Sequence, residues 1–143
     1  MASSSALEIR GIDAGYGAVR VLEDVTLTVP AGETVVLLGT NGNGKTTLMR
    51  SIMGQVRPSA GTVRAVLDGR PTDLVGLSPE QVVELGIVLV PEGRRLFPRL
   101  SVEQNLRLGA YRPVARARLA ENMALCLQPV SDFHMSTPIA TPS

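Results

Sequence analysis

Nine consecutive residues, Gly39-Thr40-Asn41-Gly42-Asn43-Gly44-Lys45-Thr46-Thr47, have the types and spacing of a loop that binds polyphosphate. Glycines at 39, 42 and 44 give the backbone angles closed to other residues, so that several N–H groups point at one place. Lys45 is the only lysine of the chain. It follows the last glycine, where an ammonium reaches β- and γ-phosphates, while the Thr46 hydroxyl suits Mg2+ and Thr47 is placed for a further phosphate contact. These residues predict a protein that binds a nucleotide together with Mg2+.

Such a loop works only between a strand and a helix. The run Thr34-Val35-Val36-Leu37-Leu38 is continuously apolar, as expected of a strand buried on both faces in a parallel sheet. A helix is expected from Thr46 to Met53, with Leu48 and Ile52 on one face and Gly54 as its C-terminal cap. Around this centre the pattern predicts strands at Leu7–Ile12, Val25–Val29 and Thr62–Leu67, and a second buried-type strand at Ile87–Val90. Ser78-Pro79-Glu80-Gln81 and Ser101-Val102-Glu103-Gln104 both carry the capping signature that opens a helix. A further amphipathic helix is expected from Val114 to Leu127. Residues 128–143 hold three prolines and one charged side chain, Asp132, and read as a disordered tail; its His134 reads as a tail residue, not a ligand or base.

Composition narrows the function classes. At 143 residues the chain is one domain or a piece of one, with 44% apolar and 3% aromatic residues, so its core is aliphatic. The formal charge of +1 gives no special attraction to nucleic acid or anionic lipid. No apolar run approaches the roughly 20 residues needed to span a bilayer, and the N-terminus shows no export signal. With Cys126 the only cysteine, no internal disulfide forms. The chain reads as cytoplasmic.

The order of antiparallel strands, Tyr16-Gly17 turn, phosphate loop, further strand, helix and a strand ending in Pro91-Glu92 resembles the ATP-binding cassette (ABC) ATPases. That resemblance implies an α/β fold of the P-loop NTPase (RecA-like) kind with an antiparallel β-subdomain, and ATP with Mg2+ as ligands. It implies that Tyr16 stacks on adenine and that Glu92, at the usual glutamine of the family's Q-loop, is a second Mg2+ ligand beside Thr46. The run Val90-Pro91-Glu92-Gly93-Arg94-Arg95-Leu96-Phe97-Pro98, with Leu100–Leu106 and Gly109-Ala110-Tyr111, looks like the ATPase subunit of branched-chain amino acid importers. Implied partners are transmembrane permease subunits and a second ATPase subunit, with the chain peripheral on the inner face of the cell membrane.

The resemblance covers Leu7 to Leu127, so residues 6–127 read as the N-terminal part of an ABC ATPase domain. Two positions depart from the family. Thr40 stands where Pro or Ser is usual, and Asn43 where Ala, Ser or Cys is usual; Asn43 tolerates left-handed angles. The family's Leu-Ser-Gly-Gly-Gln signature, Walker B aspartate, catalytic glutamate and switch histidine are not found in these 143 residues. No catalytic residue is therefore assigned, the edge of the Thr34–Leu38 strand is expected to be bare, and the chain reads as a fragment. Two other readings stand beside this one. One is a non-catalytic nucleotide-binding remnant. The other is a different phosphate-loop enzyme such as a small-molecule kinase; a GTPase is disfavoured, because no lysine remains for its guanine-reading motif.

Overall fold

Alternating apolar residues in the first third of the chain build an antiparallel sheet. The computed structural model describes residues 5–67, 69–93 and 95–127; the expected tail at 128–143, with His134, lies outside them. Strands β1 (Ser5–Tyr16), β2 (Val19–Pro30), β3 (Ala60–Leu67) and β4 (Arg70–Asp73) form one sheet in the order β2-β1-β3-β4, every pair antiparallel. The segments expected at Leu7–Ile12, Val25–Val29 and Thr62–Leu67 are each part of longer strands. In β2 the residues Val25 to Val29 keep strict period-2 exposure. In β1, Ile9 and Ile12 are both fully buried although three residues apart. The ladder shifts register between them, and the Gly11 N–H there donates to the Thr26 hydroxyl at 3.0 Å. This bulge turns a second isoleucine onto the inner face.

Helix α1 (Lys45–Ile52) lies against this sheet with Thr47, Leu48, Ser51 and Ile52 buried. Leu48 and Ile52 join Ile9, Ile12, Leu22, Val63 and Leu74 in the core; burying an aliphatic side chain of this size contributes about 1.5–3 kcal/mol. Gly54 ends α1 as expected. It takes φ +70, its N–H donates to the Ser51 carbonyl at 3.2 Å, and the Gln55 N–H reaches the Arg50 carbonyl at 2.9 Å, the pair of bonds that satisfies the last carbonyls of a helix. Helix α2 (Pro79–Glu84) begins at the expected capping box: the Ser78 N–H donates to Gln81 Oε1 at 2.8 Å and the Gln81 N–H to Ser78 Oγ at 3.3 Å.

Two expected strands are not formed. Residues 34–38 and 87–90 make no ladder with any described strand. Leu37 and Ile87 pack partly on the core, but Val36, Leu38, Val88 and Val90 face outward. A strand of the buried type needs a neighbour on each edge and a layer on each face, and among the described residues these segments have a layer on one face only.

The chain divides into two units, Met1–Val90 and Pro91–Ser143. The second contains α3 (Val102–Leu108), α4 (Pro113–Ala117) and α5 (Leu119–Cys126). The single helix expected from Val114 to Leu127 is instead two, broken at Arg118 with φ −112 and ψ 22. Neither α4 nor α5 buries a residue, so packing does not enforce continuity. Arg118 instead pairs with Glu121, its Nε donating to Oε2 at 2.9 Å. In α3 the capping box is present as expected, with Ser101 and Gln104 bonded at 2.8 and 3.2 Å. Asn105 knits the preceding loop together. Its amide nitrogen donates to the carbonyls of Phe97, Leu100 and Ser101, and its oxygen accepts from the Phe97 N–H at 2.9 Å.

Candidate functional site

The glycine-rich loop and the start of α1 fold around Lys45. Its ammonium donates to the Gly39 carbonyl at 2.6 Å and to the Thr40 carbonyl at 2.7 Å, so the cation lies over the loop that precedes it. Gly42 and Gly44 take φ +92 and +78. Asn43, between them, does not take the left-handed angles it tolerates. Gly44 is buried at φ +78, and a Cβ there would lie 2.6 Å from a methyl of Leu22; glycine suits both the angle and the close approach to β2. A Cβ on Gly39 would lie 3.2 Å from the Asn43 amide nitrogen and 3.8 Å from the Lys45 ammonium, crowding the loop's interior.

Gly44 is the N-cap of α1, no side chain bonds the first turn, and no acid stands in it. The helix therefore presents free N–H donors and the positive end of its dipole beside a lysine, which favours an anion. Thr46 is exposed in that first turn, whereas Thr47 is buried. Asn41 and Thr40 are exposed on the loop. The residues present fit a polyphosphate.

Tyr16 ends β1 and is 45% exposed. Its hydroxyl accepts from an Arg50 Nη of α1 at 3.2 Å. A hydrogen bond from the Thr47 side chain, then the bond and charge of Arg50, hold the phenol below its ordinary pKa. The structure thus ties Tyr16 to the helix that follows the phosphate loop. Arg50 escaped the sequence reading; it stands three residues after Thr47 on the same helix face, a spacing that does not itself point to Tyr16.

In the second unit, Glu92 is exposed in a bend of the Pro91–Pro98 run, beside Gly93 at φ +81. Thr46 and Glu92 both offer hard oxygen ligands of the kind Mg2+ takes. Among the described residues no group of three or more His, Cys, Asp or Glu is assembled for a metal. No described helix is long and apolar enough to cross a membrane. A groove of about 530 Å³ between α3 and α5 is lined mainly by apolar residues, among them Val102, Leu119 and Met123.

A family model for the ABC transporter matches residues 22–139. The chain belongs to the ABC transporter family. Within that family it is similar to the high-affinity branched-chain amino acid transport ATP-binding protein BraG of Pseudomonas aeruginosa. The two are 42% identical over 96 residues, 67% of this chain and 40% of BraG. It is also 42% identical to the ribose import ATP-binding protein RbsA 2 of Streptomyces avermitilis, over 103 residues that are 72% of this chain and 20% of that protein. Among solved structures, an ATP-binding subunit of an ABC transporter superposes with a TM-score of 0.60 at 36% identity, covering 73% of this chain and 41% of the other. MJ1267, an ATP-binding cassette of an ABC transporter, superposes with a TM-score of 0.67 over 84% of this chain and 46% of its own, and at 24% identity shares the fold. This ABC chain thus has the α/β fold of the family's ATP-binding domain, with its antiparallel sheet, and spans less than half the length of these relatives.

Proposed function

We propose that this chain binds MgATP through Gly39 to Thr47 and serves as ATP-binding part of an importer for branched-chain amino acids. The observation that carries the reading is the Lys45 ammonium lying 2.6 and 2.7 Å from the Gly39 and Thr40 carbonyls, at the mouth of an uncapped helix. In this reading the N–H groups from Gly42 to Thr47 cradle the phosphates, Lys45 meets the β- and γ-phosphates, and Tyr16 stacks on the base. Thr46 and Glu92 would be the Mg2+ ligands, and the ion when bound would neutralise phosphate charge. Partners would be permease subunits and a second ATPase subunit, with the protein in the cytoplasm at the inner membrane face.

The cargo rests on the similarity to BraG and on the Pro91–Pro98 run. The equal identity to a ribose import protein favours a second reading, import of ribose. Co-purification of the tagged chain with permeases of a branched-chain amino acid system, and not with those of a ribose system, supports the first; the reverse supports the second.

The nucleotide reading is tested directly. Replacing Lys45 by Ala removes a charge-assisted contact of about 1.5–3 kcal/mol, so fluorescent-ATP titration should show a roughly ten- to hundredfold loss of affinity. Equal affinity in both proteins would sink the assignment. Binding alone lowers no barrier, and no residue of the chain is assigned to polarise water. The 143-residue protein should therefore release phosphate from ATP no faster than its Lys45→Ala variant. Steady release above that background would show a base among its residues.

A further inference from the structure

The Tyr16 ring is held at both ends. On the backbone side, Tyr16 pairs with Val19 across the two-residue Gly17-Ala18 turn. Gly17 occupies the first turn position with φ +58, an angle the tight hairpin needs there. A Cβ on the preceding Gly15 would lie 2.0 Å from the Val19 carbonyl, so the hairpin closes only with glycine at that place. The backbone of residue 16 is thus fixed, and only the two ring torsions remain. At the far end of the ring, the hydroxyl accepts from Arg50 at 3.2 Å. Among the described residues Arg50 makes no ion pair, so its charge is not committed to a carboxylate.

We propose that Arg50 is a positioning residue for the base: it fixes the Tyr16 ring in place before a purine stacks on it. The inference rests on the reading of Tyr16 as the base platform and adds to it the group that sets the platform. The physical gain is preorganisation. A ring free to rotate must be immobilised when a base arrives, whereas a pinned ring has lost that freedom on folding. The Tyr16 hydroxyl is then an anchor, with no contact to the nucleotide, and stacking uses the ring face. Because Arg50 belongs to the helix that follows the phosphate loop, the base platform and the phosphate cradle share one rigid element.

The test compares ATP with inorganic tripolyphosphate, which carries the phosphates and no base. Both are titrated with Mg2+ into the full chain by calorimetry, for the wild type, Arg50→Met, Tyr16→Phe, the double variant and Arg50→Lys. Arg50→Met should weaken ATP by about two- to tenfold and leave tripolyphosphate within about twofold. Tyr16→Phe should match it, and the double variant should be no weaker than either single one, since both break the same contact. Arg50→Lys, which retains one donor, should recover part of the loss.

Unchanged ATP affinity in Arg50→Met overturns the proposal, as do parallel losses of ATP and tripolyphosphate, or single effects that multiply in the double variant. A wild-type chain that does not bind tripolyphosphate instead overturns the phosphate-loop reading and takes this inference with it. One that binds ATP no more tightly than tripolyphosphate removes Tyr16 as the platform. A tyrosinate titration of the protein alone gives a readout without nucleotide. Tyr16, assigned by its loss in Tyr16→Phe, should ionise at higher pH in Arg50→Met than in the wild type; an unmoved transition overturns the contact.

Discussion

The two units of the chain use different physics to hold their functional segments. In the first, Ile9, Ile12, Val63 and Val82 are fully buried, and the phosphate loop is anchored to that core at both ends, through Leu37 before it and Leu48 after it. In the second, Ala110 is the one buried apolar side chain among the described residues. The Pro91–Pro98 run and the helices after it are organised by hydrogen bonds within short stretches of sequence: the Ser101 capping box, the four bonds of Asn105, and the Arg107–Glu103 pair at 2.8 Å. A core makes distant residues depend on one another. Local hydrogen bonds set a shape without making it cooperative. The proposed Lys45 site thus stands on a cooperative scaffold, and Glu92 does not.

The largest expected contrast comes from truncating one apolar residue in each unit. Ile9→Ala should cost about 2–5 kcal/mol in urea unfolding, since it leaves a cavity in the sheet core. Leu108→Ala, at a side chain 47% exposed, should stay within about 0.5 kcal/mol. Similar losses from both would mean that the second unit has a core that these contacts do not show.

The matched capping boxes allow a finer comparison. Ser78→Ala and Ser101→Ala each remove about 1 kcal/mol of capping from nearly identical geometry. In α2 the fully buried Val82 should keep the helix in place, whereas α3, which buries nothing, should fray. Amide exchange should therefore accelerate across Val102–Leu108 in Ser101→Ala and change little across Pro79–Glu84 in Ser78→Ala. Exchange that rises first in α2 would reverse the comparison.

The smallest effect concerns two exposed acids. Glu80 is held below the ordinary carboxylate pKa first by the Ser78 side chain, and Glu121 by Arg118. A depressed folded pKa means that each contribution is present above the ordinary value and is lost as pH falls through the folded one. On acidification the start of α5 should lose amide protection while α2 retains it, and Glu121→Gln should remove the pH dependence in α5. Equal losses in both helices would count against the idea that Val82 makes the difference.

What the sequence made legible follows the same division. Capping boxes at Ser78 and Ser101, the Gly54 cap and the period-2 strands are local patterns, and each is present. The segments 34–38 and 87–90 have apolar runs that specify burial but not the neighbours that would provide it, and no ladder forms. The short strand β4 has only Arg70 to Asp73, with a proline, and exists because β3 offers an edge; nothing in its own residues marks it. The break at Arg118 shows that helical periodicity needs a packed face to become one helix. At the candidate site, the order of Gly39 to Thr47 was plain in the sequence, while the link from Tyr16 to Arg50 spans 34 positions and no pattern within either element contains it.

The grip of Lys45 on Gly39 and Thr40 has a consequence for selectivity among anions. An incoming ligand does not meet a free cation; it competes with two carbonyl dipoles already seated on the ammonium. A carbonyl carries partial charge and a triphosphate several full charges, so the exchange favours the ligand that brings more negative charge to the ammonium. Any full anion gains over the carbonyls, and a triphosphate, with more charge close to the ammonium, gains more than inorganic phosphate or a carboxylate. The affinity lost in Lys45→Ala is then the difference between two occupants of one ammonium.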